Sequence, residues 1–197
     1  MKATVRSFSI QPLIGGILGG ILGLIGMASA ADLAASPAPS ASPFGYLSEV
    51  RVGGFSHDYR SPERGSIDFN GELLFGTPGR AFTGYDALVP RIHLGTTINF
   101  AGKTSHVYSG FTWTYDLTSA LFVEATFGGS VNNGVRYAVP GRNAMGCPVT
   151  FRESASAGLR ITTNWSLIAT VEHMSNAGLC VENRGLTNAG LRLGYAF

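Results

Sequence analysis

The sequence predicts an all-β protein, an eight-stranded antiparallel transmembrane β-barrel, and three observations carry that prediction. The 197 residues include 27 glycines and 11% aromatics but only 13% charged residues, about half the charge of an ordinary soluble domain. From Tyr46 onward apolar and polar residues alternate in runs broken by turn clusters, the period of two that strands require. After residue 30 no stretch is long and apolar enough to cross a bilayer as a helix, so a membrane location demands a closed barrel. A formal net charge of +2 offers no basic excess for binding nucleic acid.

The first thirty residues stand apart. Lys2 and Arg6 precede an apolar, Gly-rich run from Leu13 to Met27, and Ala28-Ser29-Ala30 supplies a small-x-small cleavage pattern. Residues 1–30 therefore read as a secretory signal peptide; a retained membrane anchor is the competing reading of the same run. Residues 31–45, rich in Ala, Ser and Pro, read as a flexible lead-in, and the barrel is expected over 46–197.

Eight strands are expected near 47–56, 66–75, 87–100, 104–116, 119–130, 150–162, 165–175 and 187–197, each close to the length of a tilted membrane-spanning strand. In the second, Ile67, Phe69, Leu73 and Phe75 share one face and Asp68, Asn70 and Glu72 the other. The third sets Leu88, Ile92, Leu94, Ile98 and Phe100 against Arg91, His93 and Asn99. The fourth sets Val107, Phe111, Trp113, Tyr115 and Leu117 against His106, Thr112, Thr114 and Asp116. The last sets Leu191, Leu193, Tyr195 and Phe197 against Arg192 and Gly194. A soluble sandwich also alternates; the charged face separates the two. Asp68, Glu72, Arg91, Glu124, Arg152, Arg160, Glu172 and Arg192 all point one way, and their mixed signs suit a neutralised interior too narrow for a channel. Tyr46, Phe75, Phe100, Tyr115, Trp165 and Tyr195 lie near strand ends, as interfacial girdles do. The aromatic end of the last strand is the address that barrel-assembly machinery reads.

An even strand count puts both chain ends in the periplasm and the loops near 57–65, 101–103, 131–149 and 176–186 outside the cell. The two longest hold Cys147 and Cys180, whose even number in an exported chain favours a disulfide; two unpaired thiols are the alternative.

The stretch with chemical content is His173-Met174-Ser175-Asn176-Ala177-Gly178. A spacing of two puts His173 and Ser175 on one face, and the parity of Trp165, Leu167, Ala169 and Val171 makes it the lipid face, at the outward end of the seventh strand. A hydroxyl becomes a nucleophile when a neighbouring base takes its proton; a polar pair tolerated at the rim of the hydrocarbon zone is the plainer reading. Glu172 adjoins His173 but points inward, toward Arg152 or Arg192.

The run from His173 to Leu179, then Asn183-Arg184-Gly185, then a last strand ending Gly194-Tyr195-Ala196-Phe197, resembles the lipid A 3-O-deacylase (PagL) family of eight-stranded outer-membrane acyl-ester hydrolases. The resemblance is strongest over 151–197; upstream, only the barrel architecture matches. It implies Ser175 as nucleophile and His173 as general base. It also implies Asn183 as an oxyanion donor, with backbone N–H groups near Ser175 and Gly178 beside it. The implied substrate is the ester-linked 3-hydroxyacyl chain of lipid A, in the outer leaflet of a Gram-negative outer membrane, with no metal or cofactor. A non-catalytic barrel of the same lineage, structural or adhesin-like, is the alternative.

One position departs from the family. Its acid, a Glu fourteen residues after the His, is Thr187 here. Pairing geometry offers a replacement: a three-residue turn at Thr162-Thr163-Asn164 keeps the apolar faces of the sixth and seventh strands together and sets Glu153 opposite His173. A headgroup-level charge is the other reading of Glu153.

Overall fold

The structure, a computed structural model, describes residues 45–76 and 89–197. The signal peptide expected at 1–30, the lead-in over 31–44 and the start of the third strand at 87–88, Leu88 included, lie outside these residues. Eight strands follow one another: β1 Leu47–Ser56, β2 Ile67–Phe75, β3 Arg91–Asn99, β4 His106–Asp116, β5 Leu121–Asn132, β6 Val149–Arg160, β7 Trp165–Ser175 and β8 Leu186–Ala196. Each pairs antiparallel with its neighbours, and β1 pairs with β8 from Glu49↔Ala196 to Ser56↔Ala189, so the sheet closes into a barrel. Closure leaves no unpaired edge, which a strand protein in lipid requires.

Alternation sorts the side chains as expected. Ile67, Phe69, Ile92, Leu94, Val107, Phe111, Phe127 and Leu191 face outward, while Asp68, Glu72, Arg91, Glu124, Arg152, Glu172 and Arg192 are buried inside. Buried charge is tolerable only when it is paired and hydrogen-bonded, and here it is. Arg51 bridges Glu49 at 2.7 Å and Glu124 at 2.6 Å. Arg91 reaches Glu49 and Arg192 reaches Glu72, both at 2.7 Å. Arg152 holds Glu172 at 2.6 Å, one of the two partners expected for it. Arg160, expected inside, shares the inward face at the end of β6 and is a quarter exposed. There it pairs with Asp116 at 2.6 Å and lies over the Phe122 ring.

The interior is not purely polar. Phe55, Leu74, Tyr108, Phe122 and Ile168 occupy inward positions, and glycines opposite make room for the rings. A Cβ on Gly95 would meet the Tyr108 ring at 2.4 Å, and one on Gly158 the Phe122 ring at 2.0 Å. The Arg152 guanidinium lies 3.6 Å from the Tyr108 ring centroid, a cation–π contact that adds to its pairing with Glu172.

At one end of the barrel the turns are short. Ile161 N–H donates to Trp165 O at 2.8 Å, closing the expected three-residue turn. Trp165 and Tyr195 meet edge to face there, 4.9 Å apart. At the other end stand the longer loops. β3 stops at Asn99 because its Oδ1 accepts the N–H groups of Ala101 and Lys103 at 2.9 and 3.1 Å, a side-chain turn that competes with the ladder. The loops 133–148 and 176–185 are tied by the Cys147–Cys180 disulfide.

Candidate active site

The site is built from two transverse rows on the outward face of the sheet, at the loop end. Strand register sets Phe127 (β5) opposite Glu153 (β6), Glu153 opposite His173 (β7) and His173 opposite Thr187 (β8). One step nearer the loops, Gly129 lies opposite Phe151, and Phe151 opposite Ser175. The expected register between β6 and β7 is the observed one, so Glu153 and Thr187 flank His173 from either side.

The two flanks differ in what they do. His173 Nδ1 lies 2.8 Å from Thr187 Oγ1. Glu153 is exposed and holds no hydrogen bond or ion pair among the described residues. With Nδ1 donating to the Thr187 hydroxyl, Nε2 carries the free lone pair that a general base needs. The ring packs on Gly185, where a Cβ would stand 2.7 Å from His173 Cε1 and 3.0 Å from Nε2; Gly185 also has φ +67°. No larger residue fits there without moving the imidazole.

Ser175 closes β7 and makes no hydrogen bond to His173 among the described residues, a geometry that serine hydrolases commonly tighten only around substrate. Beyond it the chain turns sharply. Ala177 and Gly178 have φ of 53° and 79°, and Leu179 N–H donates to Asn176 O at 3.0 Å. A left-handed alanine costs about 1 kcal/mol, which the bonds around it must offset. Asn176, buried, supplies them: its Oδ1 accepts Gly178 N–H at 3.0 Å, and its Nδ2 donates to Met145 O at 2.9 Å and Glu182 O at 2.6 Å. The Gly178 N–H is therefore already committed to Asn176.

Asn183 Oδ1 accepts Asn176 N–H at 2.8 Å, which fixes the amide orientation and leaves Nδ2 without a partner among the described residues. Asn176, which ties the loops together, stands in the motif, but its role rests on partners in a distant loop that no spacing reveals.

Next to Ser175's neighbours Phe151 and Asn176 opens an apolar groove of about 370 Å³, lined by these two and by Phe127, Gly128, Gly129, Cys147, Val149, Thr150 and Leu179. Phe127 and Phe151 stack along it with centroids 6.0 Å apart. Gly129 forms its floor: a Cβ there would meet nothing nearer than Thr150 O at 3.9 Å.

A closed eight-stranded barrel with an apolar belt, a neutralised interior and a His/Ser pair on its outer face defines the class: a membrane β-barrel bearing a candidate hydrolase site on the lipid side. The family model described as Lipid A 3-O-deacylase (PagL) matches residues 68–196, and the chain belongs to that family of outer-membrane barrels. The crystal structure of the outer membrane enzyme PagL superposes with a TM-score of 0.59 at 17% identity, covering 76% of this chain and 99% of that one. A de novo designed transmembrane β-barrel follows with a TM-score of 0.51 at 12% identity, covering 77% and 95%. At these identities the likeness speaks for the fold. No curated protein matches the chain significantly.

Proposed function

We propose that this chain is an outer-membrane esterase that removes the 3-O-linked acyl chain from lipid A. The carrying observation is the row Gly129–Phe151–Ser175: Gly129 and Phe151 line an apolar groove, and Ser175 is the cross-strand partner of Phe151 and the chain neighbour of Asn176, which also lines it. Its volume, about 370 Å³, falls in the range of ligand clefts. Lipid A is a membrane glycolipid, so a groove on the lipid face meets its acyl chain without extraction into water.

In this reading His173 Nε2 takes the Ser175 hydroxyl proton as Oγ bonds to the ester carbonyl carbon. Asn183 Nδ2 donates to the oxyanion. Collapse breaks the ester C–O bond, and His173 returns the proton to the departing sugar oxygen. Water then attacks the acyl carbon as His173 takes its proton; the Ser175 Oγ–acyl bond breaks, His173 returns the proton to Oγ, and the free 3-hydroxy acid departs. The signal peptide and the extracellular placement of the loops belong to the same proposal.

The second reading, a non-catalytic barrel of this lineage, is favoured by one observation: Thr187, and no carboxylate, contacts His173 Nδ1. Incubating the folded protein with lipid A and following 3-hydroxy acid release by mass spectrometry decides between them. Release by the wild type that Ser175→Ala abolishes is the expected result. No release, or equal release by Ser175→Ala, overturns the esterase.

A further inference from the structure

A His that becomes an imidazolium during attack on an ester needs a compensating negative charge, and the residue touching its Nδ1 here is a neutral threonine. The missing charge lies one residue deeper. Asp58, in the loop after β1, is buried at 3% exposure. Its Oδ1 accepts the backbone N–H of Thr187 at 3.0 Å and its Oδ2 accepts Asn143 Nδ2 at 2.8 Å. Both carboxyl oxygens accept from N–H donors.

Among the described residues Asp58 has no ion pair: neighbouring His57 is taken by Asp68 and Glu63, and Arg142 by Glu63. Every interior carboxylate described above has an Arg or His partner, so a buried carboxylate held by neutral donors alone calls for a reason. The Asn143 amide that holds it also donates to Gly185 O, and Gly185 is the floor under the His173 ring. Asp58 N–H donates to Asn188 Oδ1 at 2.9 Å. Asp58 thus grips the segment Gly185-Leu186-Thr187-Asn188, which cradles the imidazole on two sides.

We propose that Asp58 is the acidic positioning residue of this site: its buried charge stabilises the His173 imidazolium across Thr187, whose backbone N–H it holds and whose hydroxyl touches His173 Nδ1. This rests on the esterase reading above. Glu153, the other carboxylate facing His173, lies on the exposed flank, where solvent and headgroups screen it; Asp58 lies on the buried one.

The test measures lipid A deacylation and, independently of lipid A, the rate at which a fluorophosphonate probe labels Ser175, with folding monitored by heat-modifiable gel mobility. Asp58→Asn is isosteric and is expected to lower kcat and the labelling rate on the order of 10- to 100-fold, with little change in KM. Glu153→Gln is expected to leave both rates within about 3-fold of wild type. The second arm adds Thr187→Glu to Asp58→Asn, placing a carboxylate directly on His173 Nδ1. Recovery of both rates separates lost charge from a loosened loop. Should Asp58→Asn not fold, Thr187→Val, which removes the oxygen that His173 Nδ1 touches and keeps the volume, is expected to show the same loss. Wild-type rates in Asp58→Asn or Thr187→Val, or a double variant no faster than Asp58→Asn, overturn the Asp58 proposal while leaving the esterase standing. A wild type that neither deacylates lipid A nor labels at Ser175 overturns both.

Discussion

The side-chain oxygen of Asn183 accepts the backbone N–H of Asn176 at 2.8 Å, and this bond decides which end of the Asn183 amide meets a ligand. A backbone N–H must face an oxygen, so the NH₂ end is left to donate, to the oxyanion in the proposed reaction. Asn183→Asp keeps the shape and the acceptor but replaces the donor with a second, charged oxygen. Deacylation is expected to fall by roughly 10²–10³ in kcat, with KM and barrel folding unchanged. Steady-state kinetics on lipid A check this; an effect confined to KM would make Asn183 a binding residue.

Acyl-chain length is expected to depend on Gly129. It lies one strand beyond Phe151 in the row that starts at Ser175, and a Cβ there enters ordinary van der Waals space. The Cβ of Gly129→Leu therefore has room, and the rest of the side chain is expected to occupy the groove that Gly129 lines. Competition between lipid A species with long and short 3-O-acyl chains should shift toward the short ones, with total barrel stability unaffected. An unchanged preference would mean that the chain lies elsewhere on the lipid face.

How much of this was legible beforehand follows from where each signal comes from. The cross-strand placement of Glu153 beside His173 follows from parity and one turn length, both local properties of the chain, and that of Thr187 from the family resemblance and its parity. The choice between them does not: it depends on which side chain turns inward far enough to bond Nδ1, a matter of packing. Asp58 and Asn143 are harder still. They reach the site from loops 129 and 42 residues away from their partners Thr187 and Gly185, and loops carry no periodicity to count. Tyr108 and Phe122 were also hidden, since aromatics on the inward face break the polar pattern and are accommodated by Gly95 and Gly158 on neighbouring strands.

Reducing the Cys147–Cys180 bond is expected to impair the site before it unfolds the barrel. The bridge spans 33 residues, for which loop closure contributes about 3–4 kcal/mol. It joins the two loops that Asn176 ties through Met145 O and Glu182 O. Gly146 is pressed so close to Glu182 O that no Cβ fits. Loosened loops would let Asn183 drift from Asn176. The paired Cys147→Ala, Cys180→Ala variant should keep heat-modifiable mobility and lose activity about 10-fold, the loss appearing in kcat; full activity would show that the Asn176 bonds suffice alone.

The loop end also carries a knot whose grip depends on pH. His57, buried, sits between Asp68 at 2.8 Å and Glu63 at 3.0 Å. Burial alone would lower its pKa, but the two carboxylates outweigh that and raise it to about 9. Burial pushes Glu63 up, and the bonds from His57, Arg142, Asn143 and Thr104 outweigh it and hold Glu63 well below the usual carboxylate range. A raised His contributes fully below its unfolded value of 6.5 and loses that contribution as pH climbs through about 9. A lowered Glu contributes above its unfolded value of 4.5 and loses that contribution as pH falls beneath it. The knot joining loops 57–66, 100–105 and 133–148 is therefore tightest between about pH 4.5 and 6.5 and opens on the alkaline side. Limited proteolysis of these loops should run faster in His57→Gln than in wild type at pH 6, and the two rates should converge above about pH 9.5. A ratio that stays constant from pH 6 to 10 would show that the His57 charge does not hold the loops.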